Sequence, residues 1–443
     1  MRIQLSDHFT YKKLIRFVLP SVIMMIFTSV YGVVDGLFVS NFVGKTAFAA
    51  INLIMPFLMG LSALGFMIGT GGSAIVAKTL GEKKGKRANE YFSLLIYVTI
   101  AGGLIISVIG CVLIRPVSTF LGASGELLEN CVLYGKILFI SLTPYMLQNV
   151  FQSFFVTAEK PKLGLYVIIA AGLTNILLDF LLIAVFHWGL KGAAVATAVS
   201  EYIGGFLPVL YFARKNGSLL RLGKTYFNKG ILLKTCSNGS SELMTNLSMS
   251  VVNSLYNFQL IRFAGEDGVA AYGTIMYVNF FFAAVFFGYS IGSAPIIGYH
   301  YGAGNHSELK NLFKKSLSLI AACGILLAIL AQFLAAPLAT VFVGYDRELF
   351  AMTCHGFRLY SMCFLICGFN FFASSFFTAL NDGMVSAAIS FLRTLVFQVT
   401  VVLFLPVILG LDGIWLAVTA AEMMTLLVTI TFFIRKKKKY RYA

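Results

Sequence analysis

Acidic residues are scarce in this chain: 18 Asp and Glu stand against 34 Lys and Arg in 443 residues, and charged residues of both signs make up only 12%. Soluble domains carry about 25% charged residues, so a soluble enzyme is excluded, and so is a charge-rich disordered chain. The seven cysteines (111, 131, 236, 323, 354, 363 and 367) are odd in number and lie in or beside apolar stretches. That excludes a disulfide scaffold and leaves them as small core residues, Cys363 and Cys367 included. The five histidines (8, 187, 300, 306 and 355) show no metal-ligand spacing and adjoin no acid pair, so a membrane-embedded enzyme is not expected. A phosphate-binding loop is missing too. Gly44-Lys45-Thr46 and Gly223-Lys224-Thr225 end such a motif correctly, but Val39 and Ser218 stand where its first glycine belongs. No nucleotide and no other cofactor is expected.

What the chain does have is apolar length: 58% hydrophobic residues and a mean hydropathy of +0.86. A membrane-spanning helix takes about 20 apolar residues. The reading is an all-α polytopic membrane protein with twelve transmembrane helices. They fall near 14–42, 47–77, 92–114, 127–157, 163–186 and 190–213, then 231–263, 268–300, 312–336, 349–380, 384–409 and 412–434. The first apolar run continues from Phe17 past Val34 without a small-residue cleavage site and reads as a retained span.

Lys and Arg set the orientation. The side bearing both termini holds 26 of the 34, among them Arg2, Lys83, Lys84 and Lys436–Lys439. The opposite loops hold Lys45, Arg115, Lys191, Arg262 and Arg347. Both termini are therefore expected in the cytoplasm, in a multi-pass membrane protein. The Lys436–Lys439 run reads as an anchor at anionic lipid; the lipid bilayer is the expected partner, nucleic acid is not, and a monomer is expected.

Sliding the chain against itself by 221 residues, half its length, brings Gly44–Gly81 onto Gly265–Gly302 without a gap. Pro116 then meets Pro337, Glu201 meets Glu422, and Arg214-Lys215 meets Arg435-Lys436. One register kept across Gly, Pro, Glu and Arg is not chance apolar matching. Six spans per half place both halves the same way up, a parallel repeat about an axis along the membrane normal. The expected organisation is an N-terminal six-helix bundle over 1–213, a linker over 214–230 and a C-terminal bundle with a basic tail over 231–443. Two such bundles enclosing a cleft suggest a carrier. Without nucleotide chemistry, that carrier must run on an ion gradient.

Ion coupling points to acids inside the spans, where a carboxylate at mid-bilayer costs roughly 2.5–3.5 kcal/mol and needs a partner or a role. They are Asp35, Asp179, Glu201, Glu242 and Glu422. Asn175 and Asp179, four apart, share one helix face. A carboxylate, an amide oxygen and a neighbouring hydroxyl form a hard-oxygen set suited to Na⁺ or a shared proton, though a polar network that only fixes helix packing would look the same. Glu201 and Glu422 occupy equivalent repeat positions, which suits a scaffold role. Glu242 follows the polar run Ser237–Ser241 and is undecided.

These residues resemble the multidrug and toxic compound extrusion (MATE) family, in a bacterial branch akin to MepA and DinF. The likeness runs through the twelve spans, Leu19-Pro20 followed by Asp35, Gly81 and Gly302 closing the second span of each half, and Thr174-Asn175-Ile176-Leu177-Leu178-Asp179 with Thr197 beyond it. The resemblance implies an N-lobe cation site of Asp35, Asn175, Asp179 and Thr197, binding Na⁺ if the coupling ion is Na⁺ and a proton otherwise. The tenth span lacks the acid that some relatives use for a C-lobe site, so the N-lobe is favoured. The expected function is cation-coupled antiport that exports amphipathic, mostly cationic organic compounds by alternating access. Tyr31, Tyr145, Phe151 and Phe154 are candidate cleft walls from span position alone; Glu201, Glu242 and Glu422 are possible additional polar sites. The alternative cargo is a lipid-linked saccharide or other polyprenyl intermediate, for which Arg358 and Arg393 could hold pyrophosphate.

Overall fold

The computed structural model describes residues 3–344 and 346–443. Arg2 and the Lys45 side chain, counted above, lie outside the described set, as do the side chains of Leu37, Ser40, Asn41 and Ser250. Among the described residues every regular element is helical. The first half contributes α1 (Tyr11–Phe42), α2 (Lys45–Gly81), α3 (Gly85–Phe120), α4 (Gly125–Thr157), α5 (Pro161–Val185) and α6 (Gly189–Ala213).

The second half opens on a stretch of 74 residues, Lys229–Gly302. As one rod it would measure about 110 Å, against a hydrocarbon core of about 30 Å. It is two helices, α7 over 229–264 and α8 over 266–302, broken at Gly265 with φ 62° and ψ −150°, a conformation that glycine alone adopts without strain. Then come α9 (His306–Val343), α10 (Arg347–Ala379), α11 (Gly383–Leu409) and α12 (Leu411–Tyr440). The eleven stretches long and apolar enough to cross a membrane thus make twelve helices.

The helices α3 and α9 begin earlier than hydropathy places them, at Gly85 and His306. The added residues include Lys86, Arg87 and Glu90, and Glu308 and Lys310, compatible with a helix but invisible to a hydrophobicity window. The expected loop between the seventh and eighth spans shrinks to the single break at Gly265.

The repeat is visible in the packing. A Cβ on Gly71 of α2 would strike the Thr235 carbonyl and the Gly239 backbone of α7, and one on Gly292 of α8 would strike Val18 of α1, the position 221 residues before 239. Gly81 abuts Tyr299, and its mate Gly302 abuts Lys78, the mate of Tyr299. Glycine at these positions lets the two halves meet backbone to backbone along α2/α7–α8 and α8/α1. The seam closes the end of the molecule that bears both termini.

That face carries two straps. Residues 3–10 run across it: Leu5 N donates to Glu159 Oε1 at 2.8 Å, beyond the end of α4, and Phe9 N donates to Glu308 Oε1 at 2.9 Å on α9. His8 Nδ1 lies 2.6 Å from Glu308 Oε2, while Asn311 and Lys315 donate to the Phe9 carbonyl. The C-terminal tail folds back, burying Tyr440 and Tyr442 against the second half. Asp382, in the α10–α11 loop, accepts from Tyr440 Oη at 2.7 Å and Lys436 Nζ at 3.0 Å, with Lys439 Nζ at 3.8 Å.

Burial alone would push the Asp382 carboxyl up, but Tyr440, Lys436 and Lys439 outweigh it and hold it below the ordinary carboxylate range. A lowered value means the contact stabilises above about pH 4 and weakens as the pH falls through the depressed value. Asp382→Asn is expected to cost about 1–2 kcal/mol of tail docking and to speed trypsin cleavage at Lys436–Arg441 roughly tenfold at neutral pH. Unchanged cleavage would show that the tail is held by Tyr442 packing alone.

Candidate functional site

In the N-terminal half, α1, α2, α4, α5 and α6 enclose a cavity of ≈ 210 Å³. Its approach distances are set by small residues. On α5, Gly172 lets the Tyr31 ring of α1 lie against the backbone, where an added Cβ would come within 2.9 Å of it. On α6, Gly204 and Gly205 admit Gln148 and the Pro144 backbone of α4. These contacts bring Tyr31 and Asp35 from α1, Tyr145 from α4, Asn175 from α5, and Thr197 and Glu201 from α6 onto one cavity wall. Asp179 lies one turn beyond Asn175, fully buried and facing Asp35. Directly after it, Phe180–Val185 widens into a π-helical turn, a distortion that recurs at functional sites.

Among the described residues, Asp35 Oδ1, both Asp179 oxygens, both polar atoms of Asn175 and Thr197 Oγ1 are buried without a protein hydrogen-bond partner. Buried polar atoms are ordinarily paired, and here five oxygens converge unpaired. Two facing carboxylates in apolar surroundings repel unless a cation or proton lies between them. Carboxylate, amide and hydroxyl oxygens together are hard ligands that fit Na⁺ or a proton. Among the described residues no basic side chain lines this cavity.

The other sequence candidates separate. Tyr31 and Tyr145 are cavity walls. Phe151 and Phe154 are not: they are 1% and 0% exposed, locked in an aromatic core with Phe92 and Phe212, where Phe151 stacks on Phe212 at 5.6 Å. The expectation from span position fails because a core aromatic and a cleft aromatic look alike along the chain. Glu201 and Glu422, equivalent in the repeat, differ in surroundings. Glu201 borders the N-half cavity, whereas Glu422 is fixed by Arg393 Nε at 2.7 Å and Asn370 Nδ2 at 2.7 Å. Glu242 lies elsewhere, in a narrow hydroxyl-lined gap of ≈ 30 Å³ between the halves, with Thr70, Ser73, Ser153 and Arg393. Arg358 is exposed and does not line the cavity that Arg393 borders. Sequence reasoning missed Thr28 and Ser200 on the cavity wall. Thr28, seven residues before Asp35, shares its helix face, and that spacing could have found it.

The MatE family model matches this chain twice, over residues 20–181 and 243–404, one match per repeat. Multidrug export protein MepA of Staphylococcus haemolyticus (strain JCSC1435) is 28% identical over 305 residues, covering 69% of this chain and 67% of its own. Multidrug export protein MepA of Staphylococcus aureus (strain MSSA476) is 23% identical over 423 residues, covering 93% and 91%. A solved structure of the outward-facing conformation of a multidrug resistance MATE family transporter of the MOP superfamily superposes with a TM-score of 0.92 over 98% of each chain at 21% identity. With both repeats matched and the twelve-helix, two-lobed fold in place, the chain belongs to the MatE family and is a membrane transporter, not an enzyme.

Proposed function

We propose that this protein is a cation-coupled antiporter that exports amphipathic, mostly cationic organic compounds by alternating access. The observation that carries the reading is the N-lobe cavity, where Asp35 and Glu201 gather with Tyr31 and Tyr145, Asp179 faces Asp35, and no basic residue among those described lines the wall. An organic cation and an inorganic one would compete for those carboxylates: entry of H⁺ or Na⁺ satisfies the oxygens and releases the cargo. Tyr31 and Tyr145 offer flat faces to a delocalised cation. Asp35, Asn175, Asp179 and Thr197 would hold the coupling ion, and no nucleotide takes part.

The export direction is supported by the names of the MepA relatives and by the steep Lys/Arg bias, which puts the termini-bearing face in the cytoplasm of a bacterial inner membrane. With that face sealed by the glycine seam, the cavity would communicate with the outside. The protein is taken to work as a monomer in the bilayer, its partners being lipid and small organic molecules.

The test is efflux of a cationic dye from proteoliposomes with a Na⁺ gradient or a pH gradient imposed separately. One of the two is expected to drive concentrative efflux at least tenfold over the gradient-free rate, about 1.4 kcal/mol of coupling. Equal rates with both gradients and with neither would overturn cation coupling.

A further inference from the structure

The C-terminal half contains the repeat mate of the N-lobe cavity. It measures ≈ 170 Å³, and Met276 and Glu422 line it where Met55 and Glu201 line the first. Its chemistry is different. The place of Asp35 is taken by Tyr256, which stacks on Tyr272 with ring centroids 5.0 Å apart and planes at 7°. The single buried acid, Glu422, is spent: one oxygen is held by Arg393 Nε and the other by Asn370, itself fixed by Thr429. Glu242 borders Arg393 from the separate gap between the halves and does not line this cavity.

Arg393 is the unusual residue. Its side chain is only 12% exposed and its guanidinium stacks 3.7 Å above the Phe371 ring centre. Only its Nε finds a protein acceptor among the described residues; its Nη groups find none, and the residue borders the cavity. An arginine has five N–H donors in a planar fork matched to a carboxylate, and donors left unused inside a membrane protein are costly. A second, independent feature marks the position. Arg393 sits in a π-helical turn, Leu392–Phe397, as Asp179 adjoins one in the other half, although the two turns are not repeat mates. One wide turn follows directly on an acid, and the other contains a base.

We propose that the C-lobe cavity is a cargo subsite for aromatic carboxylates, zwitterions included, in which Arg393 Nη donates to the carboxylate and Tyr256 and Tyr272 pack on the ring system. The inference rests on the export reading above and extends its cargo beyond simple cations. A scaffold role for the Arg393–Glu422 pair is the competing explanation, and the two are separable.

The experiment compares a rhodamine dye as its methyl ester, a monocation, with the parent acid, which carries the carboxylate. Binding to purified protein in detergent is read by fluorescence polarisation, and efflux is read in proteoliposomes. Arg393→Gln combined with Glu422→Gln removes both charges and keeps the side-chain shapes. The acid is expected to lose affinity and efflux roughly tenfold or more, the cost of one charge-assisted hydrogen bond, while the ester changes less than about twofold. Arg393→Lys, which keeps the charge without the fork, is expected to fall between. An equal loss for both dyes, or no loss for the acid, overturns the subsite. Failure of the wild type to move either dye, with the difference in binding intact, overturns the export reading and leaves the subsite standing.

Discussion

Asp35→Asn is expected to abolish gradient-driven efflux while the protein still folds and inserts. The substitution keeps size and shape but removes one of the two carboxylates that face each other, leaving Asp179 with an amide neighbour. Two charges about 4 Å apart interact by about 4 kcal/mol at an effective dielectric of 20, so the coupling that lets one cation displace another rests mostly on this pair. Concentrative efflux should fall by at least about a hundredfold, which corresponds to roughly 2.7 kcal/mol. The amide keeps the size of the carboxyl and can still meet Asn175 and Asp179, so folding should be spared; a monodisperse elution profile and unchanged thermal midpoint check this. Retention of gradient-driven efflux by well-folded Asp35→Asn would remove Asp35 from the mechanism.

Gly239→Val should have the second large effect. A Cβ there would collide with the Met67 carbonyl of α2, and backbone atoms cannot swing aside as a flexible side chain can. Overpacking of a tight contact costs about 1–3 kcal/mol, and the clash exists only while the two halves are closed at the termini-bearing face. A bias of about 2 kcal/mol shifts a two-state equilibrium roughly thirtyfold. In a cysteine-free background, a reporter cysteine at Thr235 should therefore label far faster from that face, and efflux should drop at least about tenfold. Gly102→Ala and Gly273→Ala meet nothing within 4 Å and serve as neutral controls. Equal labelling of Gly239→Val and the parent would show that the seam does not gate the protein.

Much of this architecture was legible along the chain, for identifiable physical reasons. Twelve spans follow from apolar length, and the repeat follows from residues with backbone consequences: Gly81 and Gly302 recur because each admits the other half's backbone. The grouping of Asn175 with Asp179 follows from helical spacing. The rest depends on tertiary contact. No spacing rule distinguishes Glu201 from Glu422, because the difference is Arg393 reaching across from another helix. Nor does local sequence announce the π-helical turns at Phe180–Val185 and Leu392–Phe397, or that the expected loop near Gly265 is a single residue. Phe151 and Phe154 mislead because lipid, core and cleft all accept phenylalanine.

The strap formed by residues 3–10 gives this transporter a built-in return spring. Its bonds reach Glu159 in one half and Glu308, Asn311 and Lys315 in the other, so any swing that parts the halves at that face must first peel them off. Residues 3–10 thereby weight the balance between postures toward the one in which that face is closed.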